Sequence, residues 1–195
     1  MSAPDSAVSP LSVSTVASHD VLIVGGGLVG ASLAIALDRL GLEVGLLEAA
    51  PAGALPSVFD ERNLSFAEAT VNALRALDVL PRLRTPTGAI VRIHISREGD
   101  FGRVLLNAVD YGRAAFGQVV VARDFGDALE SKLAELPRIT RHRPARFTRF
   151  AEDRADGLRR ARIADIDGER LIAAKLVVAA DGTVLASLEN AVTAE

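Results

Sequence analysis

The stretch "VLIVGGGLVGASLAIALDRLGLEVGLLEAA", Val21 to Ala50, decides the fold. An apolar, β-branched run ending at Val24 meets three adjacent glycines, which reads as a strand buried on both faces and stopped by a turn. From Leu28 to Leu40 the residues Leu33, Ala36, Leu37 and Leu40 recur at three and four, the spacing of a helix face, and Gly41 stands where such a helix ends. Val44 to Leu47 forms a second apolar strand. Strand, helix and strand within ~30 residues make a βαβ unit, whose strands run parallel.

Gly25, Gly27 and Gly30 carry the G-x-G-x-x-G spacing between that strand and that helix. One glycine allows the tight turn, the next lets a pyrophosphate touch the backbone, and the third lets helix and strand pack closely. The helix's free N–H groups, beginning at Leu28, and its positive end then hold the anion. Glu48 follows Gly30 by roughly 18 positions, close to the ~20 of a dinucleotide fingerprint. At the end of the second strand its carboxylate can accept hydrogen bonds from both adenosine ribose hydroxyls and would repel a 2′-phosphate, so the site is expected to take FAD or NAD rather than NADP. Two plainer readings stay open on these residues alone: glycines that serve only a close helix–strand contact, and a glutamate that is only a solvated strand end.

The bulk of the chain fits a globular α/β protein. Its 195 residues allow burial of roughly 70% of the unfolded surface, and 49% hydrophobic content is too apolar for a disordered chain. A net charge of −3 argues for neither nucleic acid nor an anionic membrane as partner. With no Cys there is no disulfide framework, thiolate metal site or thiol nucleophile, which fits a reducing compartment. The cytoplasm is the expected location, or its face of the inner membrane if the chain is peripheral. Charges at Arg39, Glu43 and Glu48 interrupt the most apolar region well short of the ~20 residues of a membrane span. Residues 1–19, rich in Ser, Ala and Pro and without Lys or Arg, read as a flexible leader rather than a signal peptide.

Beyond a Pro/Gly loop at Pro51 to Ser57, Ser65 and Glu68 have the spacing of a helix capping box, with Val71, Leu74 and Leu77 continuing the helix face. Val91, Ile93 and Ile95 then alternate with Arg92 and His94, the mark of a strand with one wet face, and "GQVVVA" from Gly117 suggests another. Asp124 is placed to cap a helix carrying Leu129, Leu133 and Leu136. Strands are expected around Phe147, at Arg162 to Ile166 and at Leu171 to Ala174, the last two joined by a hairpin at Asp167-Gly168. A buried parallel strand returns at "KLVVAADG", Lys175 to Gly182. The five arginines of "RITRHRPARFTRF", Arg138 to Phe150, are offset by nearby acids and read as the wet face of one strand rather than a nucleic-acid patch. His19, His94 and His142 lack ligand spacing and read as structural or surface residues; no metal site is expected.

Three further segments carry a resemblance. "FDERNLSF" places Asp60-x-Arg62 before the second helix, "FGQVVVARDFGDAL" places Gln118 at the head of a strand leading into a helix, and "LVVAADGT" ends an apolar strand on Asp181-Gly182. From about Asp20 to about Gly182 the chain resembles the FAD- and NAD(P)H-dependent aromatic-ring hydroxylases, single-component flavoprotein monooxygenases. Within them it is most similar to the 2-polyprenyl-6-methoxyphenol hydroxylases of ubiquinone biosynthesis.

The resemblance implies a Rossmann-like, three-layer α/β FAD-binding domain at 20–88 and 119–195, incomplete at its C-terminus. Part of an antiparallel substrate-domain sheet is implied at 89–118. Arg62 would lie along the FAD pyrophosphate or ribose, Gln118 would reach the ribityl side, and Asp181 and Gly182 would close over the cofactor near the glycine loop. FAD is the implied cofactor, NAD(P)H the reductant and a polyprenyl phenol the substrate, with other ubiquinone-biosynthesis proteins as further partners. In that chemistry the flavin does the oxygen work while the protein supplies position and exclusion of water, so no catalytic residue is named. The family's next flavin motif, a Gly-Asp segment, does not occur here, and "VLASLENAVTAE" lacks the basic residue usual after Asp181-Gly182-Thr183. The chain is therefore read as a truncated first half, inactive by itself. A non-catalytic dinucleotide-binding or assembly module and an NAD-dependent oxidoreductase are the alternatives, the latter weakened by Asp60-x-Arg62 and by the absence of successive βα units.

Overall fold

A computed structural model of the chain describes residues 17–52, 62–99, 101–152 and 156–182. Asp60, part of the Pro51 to Ser57 loop, most of the leader and the "VLASLENAVTAE" tail lie outside them. The βαβ unit is present: strand β1 (Ala17–Val24), helix α1 (Leu28–Asp38) and strand β2 (Val44–Leu47). Strand β1 begins at Ala17, inside the expected leader, because Ala17 to His19 pair with Ile172 to Ala174. All four residues of β2 are buried, as a strand covered on both faces requires.

Helix α1 buries Ala31, Ala34, Ile35 and Asp38, whereas Leu40, expected on its inner face, is 74% exposed and lies past the helix end. The helix is apolar on most sides, so several faces fit the same spacing and periodicity alone could not choose among them. Its end is as expected: Gly41 takes φ +78° and its amide donates to the Asp38 carbonyl at 2.9 Å.

The remaining elements are β3 (Asn63–Ala67), α2 (Glu68–Ala76), β4 (Gly88–Ala89), β5 (Arg92–Ile95), β6 (Val104–Asn107), β7 (Gly117–Val121), α3 (Ala122–Leu133), β8 (Ile139–His142), β9 (Arg146–Phe150), β10 (Arg159–Asp165) and β11 (Gly168–Ala179). Two expected caps are not formed. Ser65 sits inside β3, opposite Val119, so α2 starts after Ala67 without a side-chain cap and the Glu68 amide donates instead to the Phe116 carbonyl. Asp124 lies within the first turn of α3, whose N-cap is Val121, and its buried carboxylate accepts from the backbone N–H groups of Arg84 (3.0 Å) and Thr85 (2.7 Å). Burial works to raise the Asp124 pKa, and those two amides together with the Thr85 hydroxyl and the Arg84 charge more than offset it, leaving the carboxyl below its usual range. Leu136 falls beyond the end of α3 but packs against the same core.

One six-stranded sheet, ordered β8-β2-β1-β11-β10-β9, carries the site. The pairs β8–β2, β2–β1 and β1–β11 are parallel, and β11–β10 and β10–β9 are antiparallel. The expected hairpin at Asp167-Gly168 forms, but β11 is one continuous 12-residue strand that first pairs with β10 and then runs on beside β1. Its second half is not fully buried: Leu176 is 55% exposed. The arginine-rich segment is likewise two strands, at opposite edges of the sheet.

That placement forces curvature. Five interstrand spacings would separate the edges of a flat sheet by ~24 Å, yet the steps from His142 at the end of β8 to Arg146 at the start of β9 span at most ~15 Å. The sheet must fold back over itself, and a core fills the fold: Leu22, Val24 and Leu47 pack with Ala161, Ile163, Ile172 and Ala174. On the other face Val21, Ile23, Val44 and Leu46 pack against Ile35 of α1 and Phe125 and Leu129 of α3. Helices, parallel strands and an antiparallel meander are thus three layers, with each fully buried Leu or Ile contributing roughly 1.5–3 kcal/mol.

Two small sheets complete the described structure. Strand β7 pairs with β3 on one side and β4 on the other, and β5 pairs with β6. The expected dry face of β5 is absent: Val91 and Ile95 are 54% and 53% exposed.

Candidate functional site

The turn between β1 and α1 shows what each glycine is for. A Cβ on Gly25 would lie 2.7 Å from the backbone of Ala180 and Asp181, and Gly25 also holds φ +107°, which L side chains rarely adopt. One on Gly30 would lie 1.9 Å from the Gly25 carbonyl oxygen. Gly27, by contrast, faces open space. It is the N-cap of α1 and no side chain caps the helix there, so the backbone at the helix mouth is bare and its N–H groups remain for a ligand. Of the expected roles, turn and close packing therefore fall on Gly25 and Gly30, and open approach falls on Gly27.

Glu48 stands directly after β2 and turns back to this mouth. Its Oε2 accepts from the Gly26 amide at 2.9 Å and its Oε1 from the Ala50 amide at 2.7 Å. Gly26 is a site residue that the G-x-G-x-x-G spacing passes over: a Cβ there would lie 2.9 Å from the Glu48 Cβ. The third adjacent glycine in the sequence was its signal. Each Glu48 oxygen keeps acceptor capacity, since a carboxylate offers about four lone-pair sites.

Asp181 reaches the same place, with Gly182 next to it in the chain. The Ala180 amide donates to the Val24 carbonyl at 2.7 Å, which docks the end of β11 beside the end of β1 and lays the Asp181 backbone on Gly25. Arg62 arrives from β3: its carbonyl accepts from the Ala122 amide, and it lines a cavity of about 440 Å³ with Leu28, Val29, Asn63, Leu64, Ala122 and Ala180. Gln118 lies apart from that cavity, half-buried in β7 opposite Phe66 and Ala89, three residues or ~10 Å along the strand from Val121.

The donor set suits FAD: bare helix amides for a pyrophosphate, a cavity lined by an arginine, an asparagine and apolar side chains, and an oriented carboxylate for a ribose. Among the described residues no group of three or more His, Asp or Glu is placed to hold a metal, and no helix is long and apolar enough to cross a membrane.

Two of the three histidines meet. His19 of β1 and His142 of β8 are buried with their Nε2 atoms 3.0 Å apart, and Arg170 Nη2 lies 3.3 Å from His142 Nδ1. Arg170 can only donate, so His142 Nδ1 accepts, its Nε2 carries the proton, and His19 Nε2 accepts it in turn. Burial holds both rings below the usual imidazole pKa, His142 down to about 4 with help from the Arg170 charge. The pair sits between the parallel sheet and the meander, next to Gly45, where a Cβ would come within 2.6 Å of the His19 ring.

The chain is similar to known proteins. Ubiquinone hydroxylase UbiL of Rhodospirillum rubrum is 32% identical over 180 residues, 92% of this chain and 41% of that protein. The 3-demethoxyubiquinol 3-hydroxylase of Escherichia coli is 30% identical over 165 residues, again 41% of its length. The chain thus spans about two-fifths of the curated relatives it matches. Among solved structures, p-nitrophenol 4-monooxygenase PnpA of Pseudomonas putida aligns with a TM-score of 0.68 at 20% identity over 86% of this chain and 42% of its own. Aklavinone-11 hydroxylase, solved in a ternary complex with FAD and aklavinone, gives 0.67 at 24% identity, covering 88% of this chain and 35% of its own. The FAD binding domain family itself matches residues 18–190. With nearly the whole chain matched, it belongs to the FAD binding domain family.

Proposed function

We propose that this chain is the FAD-binding part of a flavin-dependent monooxygenase that hydroxylates a polyprenyl phenol in ubiquinone biosynthesis, with NAD(P)H as reductant. The observation that carries the reading is the Glu48 carboxylate, held at the bare mouth of α1 by the Gly26 amide. The two ubiquinone-pathway relatives supply the substrate class.

In this reading the adenosine ribose rests on Glu48 and the pyrophosphate on the amides from Leu28 onward, where Gly27 leaves the backbone open. Arg62 lies along the pyrophosphate, and the backbone at Asp181 and Gly182 closes the far side. The ligand then runs past the cavity at Arg62 toward β7, so Gln118 meets the ribityl chain. Bound FAD supplies the two-electron and oxygen chemistry; the residues of this chain bind it, orient it and exclude water. Residues 20–88 and 119–195 form the nucleotide domain and 89–118 belong to the substrate domain. A peripheral place at the inner membrane, close to other ubiquinone-biosynthesis proteins, suits so apolar a substrate.

Titration of the purified chain with FAD and with NAD, followed by flavin fluorescence and by calorimetry, tests the cofactor. FAD is expected to bind and NAD to bind weakly or not at all. Glu48→Ala removes a charged acceptor and is expected to weaken FAD binding roughly 10- to 100-fold. A folded chain that binds neither nucleotide, or binds FAD equally well without Glu48, would overturn the reading.

A further inference from the structure

Glu48 does not hold its position by itself. Its amide donates to the His142 carbonyl at 3.0 Å and its carbonyl accepts from the Ala145 amide at 2.8 Å, so both of its backbone groups are taken by the β8–β9 connection. Inside that connection lies Arg143, whose side chain is 10% exposed. Its Nε donates to the Ala50 carbonyl at 2.7 Å, and its Nη1 donates to Glu130 Oε1 at 2.9 Å. Glu130, on α3, is also gripped by Arg141, whose Nη2 lies 2.8 and 2.6 Å from its two oxygens.

Ala50 is the residue whose amide holds Glu48 Oε1. The chain of contacts therefore runs from α3 through Glu130 and Arg143 to the Ala50 carbonyl, and across the backbone of Ala50 to the amide that holds the carboxylate. Without the arginine, the short turn after β2 would lose this tie to α3, and the Ala50 amide would hold the carboxylate less firmly at the helix mouth.

We infer that Arg143, anchored by Glu130, is a positioning residue that sets the Glu48 carboxylate for the adenosine ribose. It acts through the backbone of Ala50. The inference rests on the assignment of Glu48 to the ribose.

The arrangement is planar and directional. A guanidinium donates from its Nε and Nη edges at fixed angles, so one side chain can join a backbone carbonyl to a carboxylate on another element. That geometry is what a lysine in the same place would lack.

The test compares ADP with 2′,3′-dideoxy-ADP on the full 195-residue chain, by calorimetry, in wild type, Arg143→Met and Glu130→Gln, with a thermal melt of each protein. Wild type is expected to prefer ADP by about tenfold or more, the worth of hydrogen bonds to a charged acceptor. In Arg143→Met that preference is expected to fall to about threefold or less, mostly through weaker ADP binding, while the dideoxy analogue binds almost as before. Glu130→Gln keeps the side-chain volume and is expected to show a smaller loss in the same direction, which serves if Arg143→Met does not fold. Wild-type preference retained in the folded variants, or equal losses for both ligands, would overturn the role of Arg143 and leave that of Glu48 standing. A wild type that does not prefer ADP would instead remove the Glu48 assignment, and the positioning role with it.

Discussion

The glycine turn between β1 and α1 and the β5–β6 hairpin are both short connections, and they are built in opposite ways. Around Gly25, Gly26 and Gly30 there is no room for one more carbon, and the contacts under 3.0 Å are with the chain's own backbone or with Glu48. In the hairpin Gly99 and Gly102 face open space, and Ile95, Val104 and Leu105 are half exposed. Among the described residues β5 and β6 pair only with each other. The first region is complete in itself before any ligand arrives, whereas the second presents apolar surface of the kind that marks an interaction site. Close packing has gone to the place proposed to fit a nucleotide, and spare surface to the part proposed for the substrate domain.

Gly30→Ala should break the tight region outright, since its methyl would sit on the Gly25 carbonyl. A loss above about 3 kcal/mol in urea unfolding, or an insoluble protein, is expected. Gly102→Ala in the hairpin should cost only about 1 kcal/mol, the usual penalty for a side chain at positive φ. Equal losses at the two sites would erase the contrast.

Acid should separate the layers next. His142 titrates near 4 when folded and near 6.5 when unfolded, so the unfolded state takes up its proton first as pH falls. Stability is therefore full above pH 6.5 and declines between about 6.5 and 4 by up to about 3 kcal/mol, with His19 adding to the loss in the same direction. Asp20 and Glu43 near His19, and Asp165 beside Arg170, partly offset this by favouring the charged rings. Denaturant midpoints from pH 7 to 4 measure the loss. His142→Gln, whose amide can accept from Arg170 and donate to His19, should flatten that curve. The smallest effect belongs to the hairpin surface: Ile95→Thr and Val104→Thr should each change stability by less than about 0.5 kcal/mol while raising solubility.

The βαβ unit was legible because its signals are local. Glycines, helix spacing and acid lie within one short stretch, and each states its own requirement. The capping box at Ser65 misled for the same local reason: Ser-x-x-Glu names a helix start, but pairing with β7 turned Ser65 into a strand residue. The wet face read from Arg138 to Phe150 missed two things. Ile139 to His142 add a fourth parallel strand, and Arg141 and Arg143 close on Glu130 from another element. The meeting of His19 with His142 is equally invisible in one dimension, since 123 positions separate them and only the curl of the sheet brings them together. Gly26 stood in plain sight between two motif positions, and its reason lay in the Glu48 side chain.

Strand β11 joins the parallel layer to the meander, and this has a consequence for synthesis. Asp20 and Lys175, paired across β1 and β11, are 155 residues apart, so at ~5–20 residues per second a ribosome takes roughly 8–30 s to supply the partner of the first strand. During that interval one side of β1 has no neighbour, and the nucleotide mouth lacks the Asp181 wall. If Asp181 walls the cofactor as proposed, the site is completed late in the life of the nascent chain, and a chaperone that shields Val21 to Val24 would be guarding it before it exists.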